Sequence, residues 1–192
     1  MPQISKREQI VEAATHLFQT EGFNATGIEK IRETAGVSKK TLYNHFTSKE
    51  ELILAVLRRE DENVRHWIIK NVDKVSQNPR ERLVGLFDVY ANWIGSEGFG
   101  GCLFIKAASE FSDPENKCKA VSIEAKRLSK QLIKELVLEA NASDPDTLTD
   151  QLNLLIQGAT VQAQVANDLT SIWTAKSIGL ALIEKSLSAS ES

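Results

Sequence analysis

The chain is poor in the residues that mark secreted, metal-binding and cofactor-binding proteins. It has two cysteines, Cys102 and Cys118, in no CxxC pair, and three histidines, His16, His45 and His66, scattered along its length. Neither a disulfide framework nor a metal site is expected from that set, and a reducing cytoplasm suits it. No stretch approaches the roughly 20 apolar residues of a membrane span. The charged start MPQISKREQI leads into no apolar run of signal-peptide length. A soluble, intracellular chain with no membrane partner is therefore expected. No Ser-His-Asp order, metal-spaced cluster or phosphate-binding glycine loop occurs, so the chain reads as no enzyme and as needing no cofactor. Four prolines and ten glycines are few for 192 residues, and most of them fall at the ends of segments of helical spacing or between them.

What is present is helix punctuation. Ser5-Lys-Arg-Glu8, Thr26-Gly-Ile-Glu29 and Ser48-Lys-Glu-Glu51 each fit a capping box, in which a hydroxyl accepts the orphan amide three residues on and the glutamate reaches back. Asn78-Pro79, Asp113-Pro114 and Asp144-Pro145 pair an Asx cap with proline at the first helical position, where the missing amide costs nothing. The spacing predicts an all-α fold of about nine helices, over residues 5–20, 27–34, 38–45, 48–73, 79–96, 101–112, 114–140, 145–167 and 171–188. Helix one turns Ile10, Ala13, Ala14, Leu17 and Phe18 to one side and ends at Gly22. The last five residues, SASES, are expected to fray.

Charge is unevenly spread. The net charge is −3, yet Thr26–Lys49 holds Lys30, Arg32, Lys39, Lys40 and Lys49 against only Glu29 and Glu33. A small basic patch on an acidic body suits local contact with nucleic acid rather than general coating. The same stretch, TGIEKIRETAGVSKKTLYNHF, reads as helix, turn, helix. Ile28 and Ile31 face inward, Ala35 and Gly36 turn the chain, and Val37, Leu42 and Phe46 anchor the second helix. That leaves Lys39, Lys40, Thr41, Tyr43, Asn44 and His45 outward, with amide, ammonium, methyl and hydroxyl groups of the kinds that meet base edges and phosphates. Lys30, Arg32 and Glu33 read as solvated surface. Tyr43 could instead be a packing residue.

The run from Ile10 to Leu57, with LFQTEGFNATGIEKI followed by AGVSKKTLYNHFTSKEEL, resembles the amino-terminal domain of the TetR family (TetR/AcrR-like regulators). The resemblance covers about a quarter of the chain. It implies a three-helix DNA-binding head over residues 1–50, an effector-binding and dimerisation domain over 51–192, and a homodimer closed by the last two helices. Phosphate contacts then fall on Thr26, Tyr43, His45 and Lys49, and base-facing positions on Lys39, Lys40, Thr41 and Asn44. Gly27 replaces the larger polar residue some members use there, although its backbone amide at a helix start can still meet a phosphate. The function implied is transcriptional regulation, as a repressor on a palindromic double-stranded operator, released by a small-molecule effector.

Beyond residue 50 the patterns leave alternatives open. Phe87, Tyr90, Trp93 and Ile94 make a stripe that either packs as core or lines a cavity with Phe104, Phe111 and Gln162. As a cavity it would take a largely apolar or aromatic ligand. Leu148, Leu152, Leu155, Ala159, Ala163 and Ala166 on helix eight, with Ile172, Ala175, Gly179 and Leu182 on helix nine, suit either a close dimer interface or intrachain core. Cys102 lies near a helix start with Lys106 one turn on, which makes it either a redox- or electrophile-sensing thiol or an inert buried cysteine. A helical partner-binding adaptor would explain the bundle but not the outward Lys39, Tyr43 and Lys49.

Overall fold

A computed structural model describes residues 4–166 and 168–189. Among these residues it contains nine α-helices and no strand: α1 Lys6–Glu21, α2 Ile28–Thr34, α3 Lys39–His45, α4 Lys49–Val75, α5 Pro79–Ile94, α6 Leu103–Glu110, α7 Lys117–Glu139, α8 Pro145–Ala166 and α9 Thr170–Ser188. Of the carboxy-terminal run expected to fray, the last three residues lie outside the described ones.

The caps explain most of the boundaries. The hydroxyls of Ser5, Ser38 and Ser48 accept from the amides of Glu8, Thr41 and Glu51, each at 3.1 Å. Asn78 and Asp144 do the same for Glu81 and Thr147. Each bond satisfies a first-turn donor that has no partner inside its helix. Two expected starts differ. Thr26 does not cap α2; its hydroxyl turns back to donate to the Gly22 carbonyl at 2.7 Å, and Gly27 opens the helix without a side-chain cap. Asp113-Pro114 forms a turn, because Asn116 takes the Cys118 and Lys119 amides and α7 starts three residues later.

The helices form two compact units. The first joins the residues up to Glu62 with Leu103–Ala125. Its core holds Ile10, Ala14, Phe18, Phe23, Ile31, Leu42, Phe46, Leu52 and Leu57, all shielded from solvent. The Phe18 and Phe23 rings lie 4.8 Å apart and Phe23 meets Phe111 at 5.6 Å, so the segment carrying α6 completes this core. The unit therefore extends past residue 50 and takes in a piece distant in sequence. Its helix-turn-helix turns at Gly36, where φ is +62°, a conformation that β-carbon sterics disfavour in other residues.

The second unit comprises Asn63–Cys102 and Lys126 onward. Its core runs from Ile68 and Val72 through Leu83, Leu86, Phe87 and Val89 to Ile133, Leu136, Leu152, Ile156, Ile172 and Ile183. Gly179 of α9 sits where a β-carbon would be 2.4 Å from the Phe87 ring. A glycine there lets α5 and α9 approach until that ring fills the gap between them.

Candidate functional site

The helix-turn-helix presents a sharply divided second helix. In α3, Leu42 and the following Phe46 are buried, whereas Lys39, Lys40, Asn44 and His45 are exposed and Tyr43 is 43% exposed. Thr41 is half-buried, and its hydroxyl shares a 2.8 Å hydrogen bond with Ser38. The 3.6-residue period decides this division: two apolar residues four apart bind one side of a seven-residue helix to the core and leave the rest outside. Tyr43 is thus no packing residue.

Charge around α3 is arranged by α2. Arg32 pairs with Glu29 at 2.8 Å and Glu33 at 3.0 Å, and Lys39 lies 3.5 Å from Glu29. The Arg32 hydrogen bond, with the Lys39 charge beside it, holds the Glu29 carboxyl below its ordinary range. Lys30 pairs with Glu21 at 2.6 Å. Such exposed pairs contribute little to stability, but they occupy Lys30 and Arg32, consistent with the surface reading of both. Arg7 of α1 stands over the Phe46 ring, 5.3 Å from its centroid.

Two residues flanking α3, Gly27 and Lys49, complete the candidate surface. Gly27 is exposed with open space around its α-carbon. Lys49, at the start of α4, is half-buried, and its ammonium reaches the Asn24 carbonyl at 3.5 Å. Burial lowers the Lys49 pKa, partly offset by the Glu110 charge. Glu51 accepts from the Thr47 amide at 2.7 Å, tying α3 to α4. Thr26 departs from the expectation: it is 0% exposed, and its hydroxyl is committed to backbone carbonyls. Its side chain braces the α1–α2 turn and is not offered to a phosphate.

In the second unit, Tyr90 and Trp93 of α5 line a cleft of about 320 Å³ together with Asn63, Val64, Trp67, Ile68 and Ser96. The Tyr90 and Trp93 rings meet edge-on at 6.1 Å, and Trp93 meets Phe99 at 5.0 Å in the same manner. Burial pushes the Tyr90 phenol far above its ordinary range, with the Cys102 charge adding to it. The other residues expected beside them lie elsewhere. Phe87 is core under Gly179, Ile94 borders a separate hollow with Phe99 and Leu169, and Gln162 lies on the outer side of α8. Phe104 and Phe111 belong to the first unit. The missed wall is the α4 stripe Val64, Trp67 and Ile68, whose i, i+3, i+4 spacing is legible in the sequence.

The dimer residues expected on α8 and α9 need similar correction. Leu152, Ala159, Ala163, Ile172 and Gly179 are buried within the chain's own core, and Leu155 and Leu182 pack against it. Ala166 alone of the set is exposed. The large apolar residues exposed on these helices are Leu154, Val161 and Val165 on α8 with Trp173 and Ile178 on α9. The buried stripe of α8 packs mainly against α9, which in turn packs on α5; the exposed one, at 154, 158, 161 and 165, follows the next helical row and has Gly158 in its middle. Cys102 is buried, and its amide donates to the Gln164 side chain at 3.3 Å. Cys118 is also buried, and desolvation, with the Glu50 charge adding to it, pushes its thiol up to about 11.

Among the described residues no group of His, Cys, Asp and Glu is placed to hold a metal ion, and no helix is long and apolar enough to cross a membrane.

Residues 10–56, the helix-turn-helix with its supporting helix, match the family described as bacterial regulatory proteins, tetR family. Over that stretch, about a quarter of its length, the chain is similar to the TetR family's DNA-binding domain. A transcriptional regulator of that family from Streptomyces coelicolor shares its fold, with a TM-score of 0.88 over 95% of this chain and 96% of that one, at 23% identity. The HTH-type transcriptional activator FasR of Mycolicibacterium smegmatis is 35% identical over 100 residues, 52% of this chain and 45% of FasR. The HTH-type transcriptional repressor KstR2 of Mycobacterium tuberculosis is 35% identical over 86 residues, 43% of this chain and 41% of KstR2. The chain thus spans less than half the length of these two relatives.

Proposed function

We propose that the chain is a transcriptional repressor that reads a palindromic operator as a homodimer and leaves it when a small molecule occupies the cleft beside Tyr90 and Trp93. One observation carries the DNA reading: α3 is held by Leu42 and Phe46 while Lys39, Lys40, Tyr43, Asn44 and His45 are exposed on its outer side. A short helix so exposed fits the major groove, with Asn44 and the lysines toward base edges and Tyr43, His45, Lys49 and the Gly27 amide toward phosphates. One such helix reads too few bases to be selective, so two copies about 34 Å apart on a two-fold axis are required. The exposed stripe of α8 and α9 is the surface that would close the dimer, since large contiguous apolar areas on a soluble chain mark association. Cytoplasmic action follows from this reading.

Repression rather than activation is the simpler mode for a head that covers a promoter, and KstR2 is named a repressor, although FasR is named an activator. The effector would be neutral and largely apolar or aromatic, because the cleft is walled by Trp67, Trp93, Tyr90, Val64 and Ile68 with only Asn63 and Ser96 as polar handles. Release needs no more than a ligand that prefers the form in which the heads are wrongly spaced. The decisive experiment is selection of duplexes by the purified protein from a randomised pool, followed by gel shifts. Enrichment of a two-fold symmetric motif supports the reading; no enrichment at low salt refutes it.

A thiol-sensing regulator acting through Cys102 is the second reading, resting on the place of that cysteine immediately before the start of α6. It requires that Cys102→Ser abolish the response to oxidants or electrophiles while leaving operator binding intact.

A further inference from the structure

The turn between α1 and α2 is held by a side chain from far along the sequence. Glu110, the last residue of α6, accepts the amide of Phe23 at 2.9 Å through one carboxylate oxygen and that of Asn24 at 2.6 Å through the other. These are adjacent backbone donors in a turn, and no helical partner exists for them. The carboxylate sits so close that a β-carbon on Gly22 would stand 2.9 Å from its Oε1, and Gly22 itself has φ +88°. Two further bonds hold the end of α1 and the turn. Lys106, one helical turn earlier in α6, donates to the Gln19 carbonyl, and Lys49 donates to the Asn24 carbonyl while feeling the Glu110 charge.

We propose that Glu110 is a positioning residue for DNA reading: its carboxylate clasps the turn from which the helix-turn-helix starts and so sets how α2 and α3 are presented. Gly27, the first residue of the candidate surface, follows three residues after Asn24, and Lys49 reaches the same turn from α4. Both Glu110 carboxylate oxygens are engaged by the turn. The role rests on the DNA-binding reading above, but it can fail separately.

The sign of the effect separates positioning from plain electrostatics. An acidic side chain near a phosphate-binding surface opposes binding, so a spectator carboxylate would tighten DNA binding when neutralised. A positioning carboxylate does the reverse. We expect Glu110→Gln to weaken binding to a duplex selected by the wild-type protein about tenfold, the loss that accompanies one charge-assisted hydrogen bond. The slope of affinity against salt should stay unchanged, because no phosphate contact is removed. Hydrogen exchange of the free protein, well below its melting temperature, should show the Phe23 and Asn24 amides losing protection while the Leu42 and Phe46 amides of α3 keep theirs.

Unchanged exchange at those two amides would overturn the clasp even if Glu110→Ala failed to fold. Equal or tighter duplex binding by Glu110→Gln would overturn the positioning role. A wild-type protein that selects no duplex would overturn the DNA reading and this role with it, and the exchange result would still report whether the clasp exists.

Discussion

The two apolar rows of α8 make opposite demands on the same helix, and substituting one residue from each tests the dimer directly. Leu154 is 73% exposed and Val165 80% exposed, whereas Leu152, two positions from the first, is fully buried. Fully burying a leucine side chain contributes about 1.5–3 kcal/mol, so covering the exposed share of Leu154 contributes about 1–2 kcal/mol per subunit. A two-fold interface counts each residue twice, which makes about 2–4 kcal/mol per dimer. Leu154→Glu forfeits that and adds the cost of desolvating a charge. We expect its dimer dissociation constant to rise at least about thirtyfold, and toward a thousandfold at the upper figure. The thermal midpoint of the monomer should barely move, since exposed substitutions usually change stability by less than about 0.5 kcal/mol. Leu152→Ala should behave inversely, losing about 2–5 kcal/mol of fold stability through the cavity it leaves. Sedimentation equilibrium across a concentration series, with denaturant unfolding of each variant, reads both quantities. A wild-type protein that sediments as a monomer at micromolar concentration, or a Leu154→Glu protein as dimeric as the wild type, would refute the reasoning.

Other outcomes can be checked with the same protein. On a selected duplex, Lys49→Ala should weaken all sequences alike and reduce the salt slope by about one, while Asn44→Ala should also relax preference at one base position, by about 1–3 kcal/mol. Titration with neutral aromatic compounds should quench tryptophan fluorescence in the wild type and in Trp173→Phe, but lose most of its amplitude when Trp67 and Trp93 are both replaced by phenylalanine, because only those two line the cleft. The Asp144 carboxyl is held below its ordinary range by hydrogen bonds from the Thr147 hydroxyl and amide. A depressed carboxyl pKa supplies stability that is present above the unfolded value, near 4, and lost as pH falls through the folded one. The acid limb of the stability profile should therefore be shallower in Asp144→Ala, as measured by urea midpoints between pH 5 and 2. Cys118, its thiol raised to about 11, should resist alkylation at neutral pH until the protein is unfolded.

The amino-acid sequence alone determined the helices and the outer face of the recognition helix. Both depend on local rules: a serine hydroxyl three residues before its amide, a glycine at positive φ, and Leu42 and Phe46 one turn apart. None of these needs a distant partner, so Ser5, Ser38, Ser48, Asn78 and Asp144 act as caps much where the spacing indicates. Asp113 and Thr26 are the exceptions, and in each case a competing hydrogen-bond partner nearby, Asn116 or the Gly22 carbonyl, wins.

Only the tertiary structure decided which apolar stripe meets which neighbour. Periodicity marks Phe87, Leu152 and Gly179 as one-sided, but a stripe against a neighbouring helix of the same chain and a stripe against a second subunit have the same spacing and composition. The Val64, Trp67 and Ile68 wall of the cleft was equally periodic and equally silent about its partner. The Glu110 bonds to Phe23 and Asn24 span more than 80 residues, and no pattern within a helix announces a carboxylate that serves backbone donors in a turn so far away. Burial is a property of pairs of surfaces, and a single chain's order of residues specifies only one member of each pair.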